Sequence, residues 1–193
     1  MQNKVDMKSQ SQKILLAAYK CISAKGYANV SLRDISIEAG VVLSQISYYY
    51  GNKEGLFKEV IKMLVQKYLQ EVEECLQKGA TAKEKISSLI NHFQEMLSKR
   101  PEVFRLLYDF TSLAIWSPSF GELLRNLFKD LSSLIEKYVL RDAELKENLK
   151  AYAPNSLARM LFGAMFGTAI QVILDPEEKS LPAALSPILV MFE

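Results

Sequence analysis

Apolar side chains recur every three or four residues along nearly the whole chain of 193 residues. That spacing places them on one face of an α-helix, whereas no stretch alternates between apolar and polar residues as a half-buried β-strand does. Glycines and prolines interrupt the pattern where helices would begin or end. They stand at Gly26, Gly40, Gly51, Gly79, Pro101, Pro118 and Pro176. The sequence therefore predicts an all-α protein of about nine helices.

Histidine and cysteine are too scarce for several classes of site. The chain has one histidine, His92, and two cysteines, Cys21 and Cys75. A structural zinc site needs about four such ligands at short spacings. A hydrolytic triad would have to be built on His92, which has serines nearby but no third member, and no glycine-rich phosphate loop occurs. The sequence thus predicts no metal, no cofactor and no catalytic residue, and we expect a protein that is not an enzyme.

Charge is distributed unevenly although the formal net charge is only +2. The first 55 residues contain seven Lys or Arg and four Asp or Glu, a local balance of +3. The rest of the chain carries a balance of −1. A basic N-terminal quarter on a nearly neutral body is typical of a polyanion-binding head joined to a different kind of module.

Neither a secretory signal nor a membrane span is predicted. The N-terminal residues 1–12 are polar and lack the apolar segment of a signal peptide. The most apolar stretch, 160–174, is interrupted by small and polar residues and is shorter than the roughly 20 residues that cross a bilayer. We therefore expect a cytoplasmic protein that does not enter a membrane.

Two short helical segments near the N-terminus form a helix-turn-helix pattern. The first begins at Ser31, and Ala39-Gly40-Val41 forms the tight turn that leads to the second. Leu43, Ile46 and Tyr50 take the buried side of the second segment. Small hydroxyls, an amide and a phenol take the opposite side, at Ser44, Gln45, Ser47 and Tyr48. Such side chains suit base edges, thymine methyl groups and phosphate oxygens in a major groove.

A longer set of matches surrounds this pattern without gaps between positions 14 and 56. It comprises Lys25-Gly26-Tyr27, the run from Val30 to Ile35, Ala39-Gly40-Val41 and the run from Ile46 to Leu56. In this segment the sequence resembles the DNA-binding domain of the TetR/AcrR family of transcriptional regulators. The resemblance implies a three-helix, helix-turn-helix DNA-binding domain over residues 1–53. It also implies a larger helical ligand-binding and dimerisation domain over residues 54–193.

The resemblance implies contacts to double-stranded DNA from nine residues. Ser31 and Arg33 would touch phosphates, and Lys53 would hold a phosphate at the start of the fourth helix. The others would contact the major groove: Leu43, Ser44, Gln45, Ser47, Tyr48 and Tyr49. Three alternatives stay open. Arg33 could pair with an acid on its own helix, Gln45 could face phosphate or solvent, and the two tyrosines could be ordinary surface aromatics.

Two positions depart from the family pattern. Val42 stands where the recognition helix usually has a Ser or Thr N-cap, and the loss of such a cap costs about 1 kcal/mol. Tyr50 replaces the usual Phe at the end of that helix, so its hydroxyl needs a hydrogen-bond partner or water.

Aromatic residues are concentrated in the middle of the chain, as in an effector pocket within a helical bundle. We predict a mainly hydrophobic ligand, with polar groups drawn from a few side chains that include His92. The predicted ligand-binding residues are Tyr68, Phe93, Phe104, Tyr108, Asp109, Thr111, Trp116 and Met165. Asp109 would favour a cationic ligand if it lies among aromatic rings. The alternative for each of these residues is an ordinary place in the core.

The helices at about 155–174 and 181–192 resemble, in position and apolar character, the pair that forms a four-helix dimer interface in this family. The first of them is apolar nearly all round, so we expect burial on two sides. Gly163, Ala164 and Gly167 would permit close helix approach, although burial within one chain is an alternative. A homodimer would place two recognition helices roughly 34–36 Å apart on a palindromic operator.

These features predict a repressor that a small molecule releases from DNA. Effector binding would tilt the helix from Asn52 to Lys78 and separate the two heads. Two alternatives remain, namely an activator of the same family and a helical protein–protein adaptor that retains a helix-turn-helix head.

Overall fold

The computed structural model describes residues 2–141 and 147–192. Its α-helices are α1 (Gln2–Lys25), α2 (Leu32–Ala39), α3 (Leu43–Tyr50), α4 (Lys53–Gln77), α5 (Ala82–Lys99), α6 (Pro101–Trp116), α7 (Pro118–Ile135) and α8 (Pro154–Leu174). A π-helical turn, Glu136–Leu140, extends α7, a short 3₁₀ turn covers Glu147–Leu149, and a 3₁₀ helix over Leu181–Phe192 follows α8. No β-strand occurs within the described ranges. The predicted all-α class is confirmed.

The ends of the first helices follow the signals read from the sequence. Gly26 after α1 and Gly40 after α2 have φ angles of 78° and 65°, in the left-handed region that favours glycine. Ser31 caps α2, because its hydroxyl accepts the backbone N–H of Asp34 at 3.1 Å. The Asp34 carboxylate in turn accepts the backbone N–H of Ser31 at 2.8 Å. This capping box, with Asp as the acidic member, is the start predicted for the second helix.

The chain divides into two compact units, and α4, α6 and α7 contribute residues to both. The first unit comprises Met1–Gln66 and Arg105–Gly121, and the second comprises Lys67–Phe104 and Glu122–Glu193.

The first unit is built around aliphatic side chains of α1 to α4 and a series of aromatic rings. Ile14, Ala18, Ile35 and Ile46 are fully buried. Tyr27 packs on Phe57 with ring centroids 4.4 Å apart. The series continues from Phe57 to Phe120 at 5.7 Å and from Phe120 to Phe110 at 6.1 Å.

The second unit contains two aromatic groups. Phe93 of α5 meets Phe104 edge to face at 5.2 Å, and both rings are buried. Phe128 of α7 packs on Phe162 of α8 at 5.0 Å and on Phe166 at 6.1 Å. Rings in these orientations add to the stabilisation that burial provides.

Helix α8 is buried on one side only, not on two sides as its composition predicts. The side packed within the second unit includes Leu157, Leu161, Met165 and Ala169. The opposite side is exposed and carries Met160, Gly163, Ala164, Gln171 and Leu174. Within a single chain the expectation of two-sided burial was wrong, because no helix among the described residues covers this side.

By length and composition, α8 is also a candidate membrane span. It extends over 21 residues, from Pro154 to Leu174, and is therefore longer than the apolar stretch read from the sequence. In the most apolar window of 18 residues within α8, 33% of the window is buried inside the protein. A core helix of a soluble protein passes the same test, so this feature is weak evidence for a membrane.

Candidate nucleic-acid interface

Helices α2 and α3 form the helix-turn-helix that the sequence predicts. Gly40 ends α2, and the backbone N–H of Val41 donates to the carbonyl of Ser36 at 3.0 Å, which closes the turn. Ile35 of α2 and Ile46 of α3 are both fully buried, so they hold the two helices on the core of the first unit. The other side of α3 is therefore left to solvent.

That exposed side carries most of the residues predicted to face the major groove. Ser44 and Ser47 are exposed, and Tyr48 is 73% exposed. Tyr49 is half-buried, and its ring meets that of Tyr48 edge to face at 5.2 Å. The face thus offers two hydroxyls and a phenol on a short rigid helix, as direct readout of bases requires.

Leu43 lies differently from its predicted place on the buried side of α3. That prediction is wrong, since 48% of Leu43 is exposed. Leu43 is the first residue of the helix and follows Val42, which is 63% exposed, so the chain is still at the surface at this point. The inward positions of α3 begin at Ile46.

The N-terminus of α3 is capped from inside the helix. Val42 has no side-chain acceptor, and the side-chain oxygen of Gln45 accepts the backbone N–H of Val42 at 3.2 Å. This is one half of a capping box. Bidentate pairing of Gln45 with adenine uses the amide oxygen and nitrogen together, so it would need the second lone pair of this oxygen or the release of the Val42 bond.

The residues predicted to touch phosphates occupy three distinct environments. The Ser31 hydroxyl is engaged in the α2 capping box, and Ser31 itself is exposed. Arg33 is exposed, and within the described ranges it forms no ion pair with an acid of its own helix. Lys53 is half-buried, and its ammonium lies 4.4 Å from the ring centre of Tyr27. Burial lowers the pKa of the Lys53 ammonium below its usual value.

Two tyrosines outside the predicted set anchor the elements that carry it. The Tyr50 hydroxyl donates to the carbonyl of Ser11 at 2.7 Å, which ties the end of α3 to α1 and provides the partner that the departure from Phe requires. Tyr27 lies beneath the Lys53 ammonium and stacks on Phe57. Tyr27 belongs to the Lys25-Gly26-Tyr27 motif, yet sequence spacing alone did not indicate its contact with Lys53.

Comparison with known proteins decides the family. Residues 14–60 match the family model described as "Bacterial regulatory proteins, tetR family". The N-terminal part of the chain is thus a DNA-binding domain of the TetR family. The match includes the whole helix-turn-helix and the start of α4, so this TetR-family member is a DNA-binding transcriptional regulator.

Relatives extend the likeness beyond the head of this TetR-family regulator. The chain is 26% identical over 180 residues to the "Fatty acid metabolism regulator protein" of Bacillus subtilis, covering 91% of this chain and 90% of that protein. It is 25% identical to the "HTH-type nicotine-responsive transcriptional repressor HdnoR" of Paenarthrobacter nicotinovorans, covering 86% and 85%. A crystal structure of a putative transcriptional regulator from Pseudomonas aeruginosa PAO1 shares the fold, with a TM-score of 0.77 at 17% identity over 95% of this chain and 89% of that one.

The residues predicted to bind an effector are divided between the two units of this TetR-family chain. Tyr68, Phe93, Phe104 and Met165 belong to the second unit, where the last three are buried. The remainder, Tyr108, Asp109, Thr111 and Trp116, belong to the first unit. Burial raises the pKa of the half-buried Tyr68 phenol, with a smaller contribution from the Glu71 carboxylate.

The polar groups predicted for the pocket of this TetR-family chain differ in what they contact. The Asp109 carboxylate accepts the backbone N–H of Tyr27 at 2.9 Å, and the Thr111 hydroxyl donates to the carbonyl of Leu107 in its own helix. Trp116 ends α6 and is 86% exposed. The Nε2 atom of His92, in contrast, is buried without a hydrogen bond and lies 3.6 Å from the Glu71 carboxylate. Among the described residues no group of three or more His, Cys, Asp or Glu side chains could hold a metal ion.

Proposed function

We propose that the chain is a repressor that binds a palindromic operator as a homodimer and is released by a small, mainly hydrophobic molecule. The exposed face of α3 carries the proposal. This helix of eight residues leaves polar side chains on one side without packing partners from its own unit, where they could reach a DNA groove. Ser44, Ser47, Tyr48 and Leu43 would contact bases and Tyr49 the groove edge. Gln45 would contribute its free amide N–H groups. Arg33, Ser31 and Lys53 would contact phosphates, the last with the support of the free N–H groups at the start of α4.

The homodimer would form through the exposed side of α8 together with the C-terminal 3₁₀ helix. Among the described residues, and apart from the adjoining backbone of α8 itself, no atom lies within 4 Å of a Cβ added at Gly163 or Gly167, so a partner helix could approach the backbone closely there. Met160 and Leu174 flank them and are 51% and 76% exposed, and Val190 of the 3₁₀ helix is 48% exposed. An apolar stripe of this kind on a monomer is typical of a protein–protein interface.

The effector would bind in the second unit, beside Tyr68, Phe93, Phe104 and Met165. The Nε2 atom of His92 supports this place, since a buried polar atom without a hydrogen bond costs about 1–3 kcal/mol unless a ligand or water satisfies it. The relatives' names mention fatty acid metabolism and nicotine, and both suit a largely apolar site with one polar contact.

Release would follow from a change in α4. This helix is continuous from Lys53, proposed to hold a phosphate, to Gln77, and it carries Tyr68 of the proposed effector site. An effector can shift the equilibrium only by its difference in affinity for the DNA-binding and released conformations. In this account residues 1–53 serve DNA and 54–193 serve effector and partner, and the chain works in the cytoplasm without catalysing a reaction.

A selection of genomic DNA fragments by the purified full-length chain tests the proposal. We expect one inverted repeat to be enriched and bound by a species with the mass of a dimer. Fatty acids and nicotine are then titrated into the complex, and fluorescence anisotropy of the labelled fragment reports release. Enrichment of no sequence would contradict operator binding and favour the adaptor alternative. Increased transcription from the bound promoter would indicate an activator.

A matched pair of variants identifies the effector site. His92→Phe removes the buried nitrogen, while Ser133→Ala changes an exposed residue of α7. We expect His92→Phe to change the effector concentration needed for release and to leave DNA affinity without effector unchanged. An unchanged release curve would place the effector elsewhere.

A further inference from the structure

A single carboxylate from α6 holds the turn that follows α1. Oδ2 of Asp109 accepts the backbone N–H of Tyr27 at 2.9 Å, across 82 residues of sequence. In a common glycine C-cap, the N–H after the glycine bonds to a carbonyl of the last helical turn. Here a side chain from a separate helix takes the place of that carbonyl. The α1–α2 turn is therefore fixed to α6 within the first unit.

Gly26 makes this approach possible. Its φ of 78° is one that side chains rarely adopt, and a Cβ at this position would lie 3.3 Å from Oδ2 of Asp109. The glycine therefore serves two purposes, the left-handed turn that ends α1 and the space for the carboxylate.

The charge of Asp109 stands at an unfavourable end of α1. Helix C-termini carry partial negative charge and stabilise cations. Lys25 and Arg105 line the same cleft of about 390 Å³ and supply positive charge around the carboxylate. The hydrogen bond from the Tyr27 N–H, and not the partial charge at the end of α1, accounts for a carboxylate at this position.

Tyr27 connects this hydrogen bond to the cation proposed to hold a phosphate. Its ring stacks on Phe57 at 4.4 Å with the planes 31° apart, and Phe57 is fully buried. The Lys53 ammonium lies 4.4 Å from the centre of the same ring, within cation–π range. The position of the Tyr27 ring beneath the Lys53 ammonium therefore depends on the hydrogen bond that fixes the Tyr27 backbone.

We infer that Asp109 is a positioning residue for DNA binding, which acts through Tyr27 on the Lys53 ammonium. The inference rests on the proposed phosphate contact of Lys53. Without the Asp109 hydrogen bond the α1–α2 turn loosens, Tyr27 shifts on Phe57, and Lys53 loses the surface that aims it at the phosphate. A contact that sets the position of a phosphate-binding cation changes affinity for all DNA sequences alike.

The salt dependence of DNA binding tests this inference, with the full-length chain and its selected operator. The logarithm of affinity falls with the logarithm of salt by about 0.9 for each phosphate contact. Lys53→Ala should reduce that slope by about 0.9 per head, and Asp109→Ala should reduce it in the same direction. Asp109→Asn removes the same charge but keeps an acceptor for the Tyr27 N–H, so it should retain the slope of the original protein. Asp130→Ala, at an exposed acid of α7, controls for the change in net charge and should also retain it.

The double variant Asp109→Ala with Lys53→Ala separates a route through Lys53 from a general loss of structure. If Asp109 acts through Lys53, the slope of the double variant equals that of Lys53→Ala. A reduced thermal midpoint for Asp109→Ala with an unaltered slope would overturn the inference and leave Asp109 a merely structural residue. If Asp109→Ala does not fold, Asp109→Leu replaces it, since leucine fills the volume without supplying a hydrogen-bond acceptor. We expect Asp109→Leu to reduce the salt slope as Asp109→Ala would.

The two proposals fail in distinguishable ways. If Lys53→Ala leaves the slope unchanged, the phosphate contact of Lys53 is contradicted, and the inference about Asp109 fails with it. If Lys53→Ala reduces the slope and Asp109→Ala does not, only the inference about Asp109 is overturned. Equal slopes for Asp109→Asn and Asp109→Ala, both reduced, would assign the effect to charge and would also overturn it.

Discussion

Helices α3 and α8 each bury one side and expose the other, but their exposed sides differ in chemistry. α3 exposes Ser44, Ser47 and Tyr48, which keep hydrogen bonds with water until a polar partner replaces it. α8 exposes Met160 and Leu174 beside glycines. The apolar side chains of Met160 and Leu174 form no hydrogen bonds with water. The difference indicates two kinds of partner, a hydrated polyanion for α3 and an apolar surface for α8.

The largest expected effect comes from a charge placed on the exposed side of α8. Ala164→Arg would bury a cation in the proposed dimer interface, so we expect a monomer by light scattering. Affinity for the palindrome should fall by about a hundredfold or more, because two linked heads bind far more tightly than one. Ser133→Arg, which adds the same charge on exposed α7, should leave both measurements unchanged. A dimer in Ala164→Arg would show that α8 is not the interface.

A smaller effect distinguishes the two sides of α3. Ile46→Ala removes a fully buried side chain and should lower the free energy of unfolding by about 2–4 kcal/mol in urea titrations. Leu43→Ala alters a side chain that is 48% exposed, and it should cost less than about 1 kcal/mol while weakening DNA binding. Equal losses of stability for the two variants would contradict the inward and outward sides assigned to α3.

The smallest expected effect concerns the cap of α3. Val42→Ser supplies the missing side-chain acceptor and should raise the free energy of unfolding by about 0.5–1 kcal/mol. Val41→Ser places the same hydroxyl one residue too early to cap the helix and should give no gain. A thermal midpoint for Val42→Ser no higher than that of the original protein would mean that the 3.0 Å bond from the Gln45 backbone N–H to the Val42 carbonyl already satisfies this donor.

The head was largely predictable because its signals are local. Gly26 and Gly40 adopt the left-handed conformation expected at helix ends, and Ser31 with Asp34 forms the expected capping box. Local signals did not reveal that Leu43 is exposed. A period of 3.6 residues indicates which side of a helix a residue lies on, but not how deeply the first turn of that helix is buried.

Contacts between distant parts of the sequence account for the rest. The bond from Tyr27 to Asp109 spans 82 residues, and no spacing rule connects them. The pattern of α8 reports that its residues are apolar but not which side finds a partner in the same chain. Pro187 lies within the last helix, where its ring would clash with the carbonyl four residues earlier in a regular α-helix.

Equilibrium binding of the full-length chain to its selected operator, measured by fluorescence anisotropy between 50 and 200 mM salt, tests the central claim most directly. Two heads that each place Arg33 and Lys53 on phosphates should lose affinity on the order of a hundredfold over this range. The stoichiometry should be one dimer for each palindrome. Affinity that is independent of salt, or the absence of saturable binding to any DNA, would contradict the assignment of the exposed side of α3 to DNA.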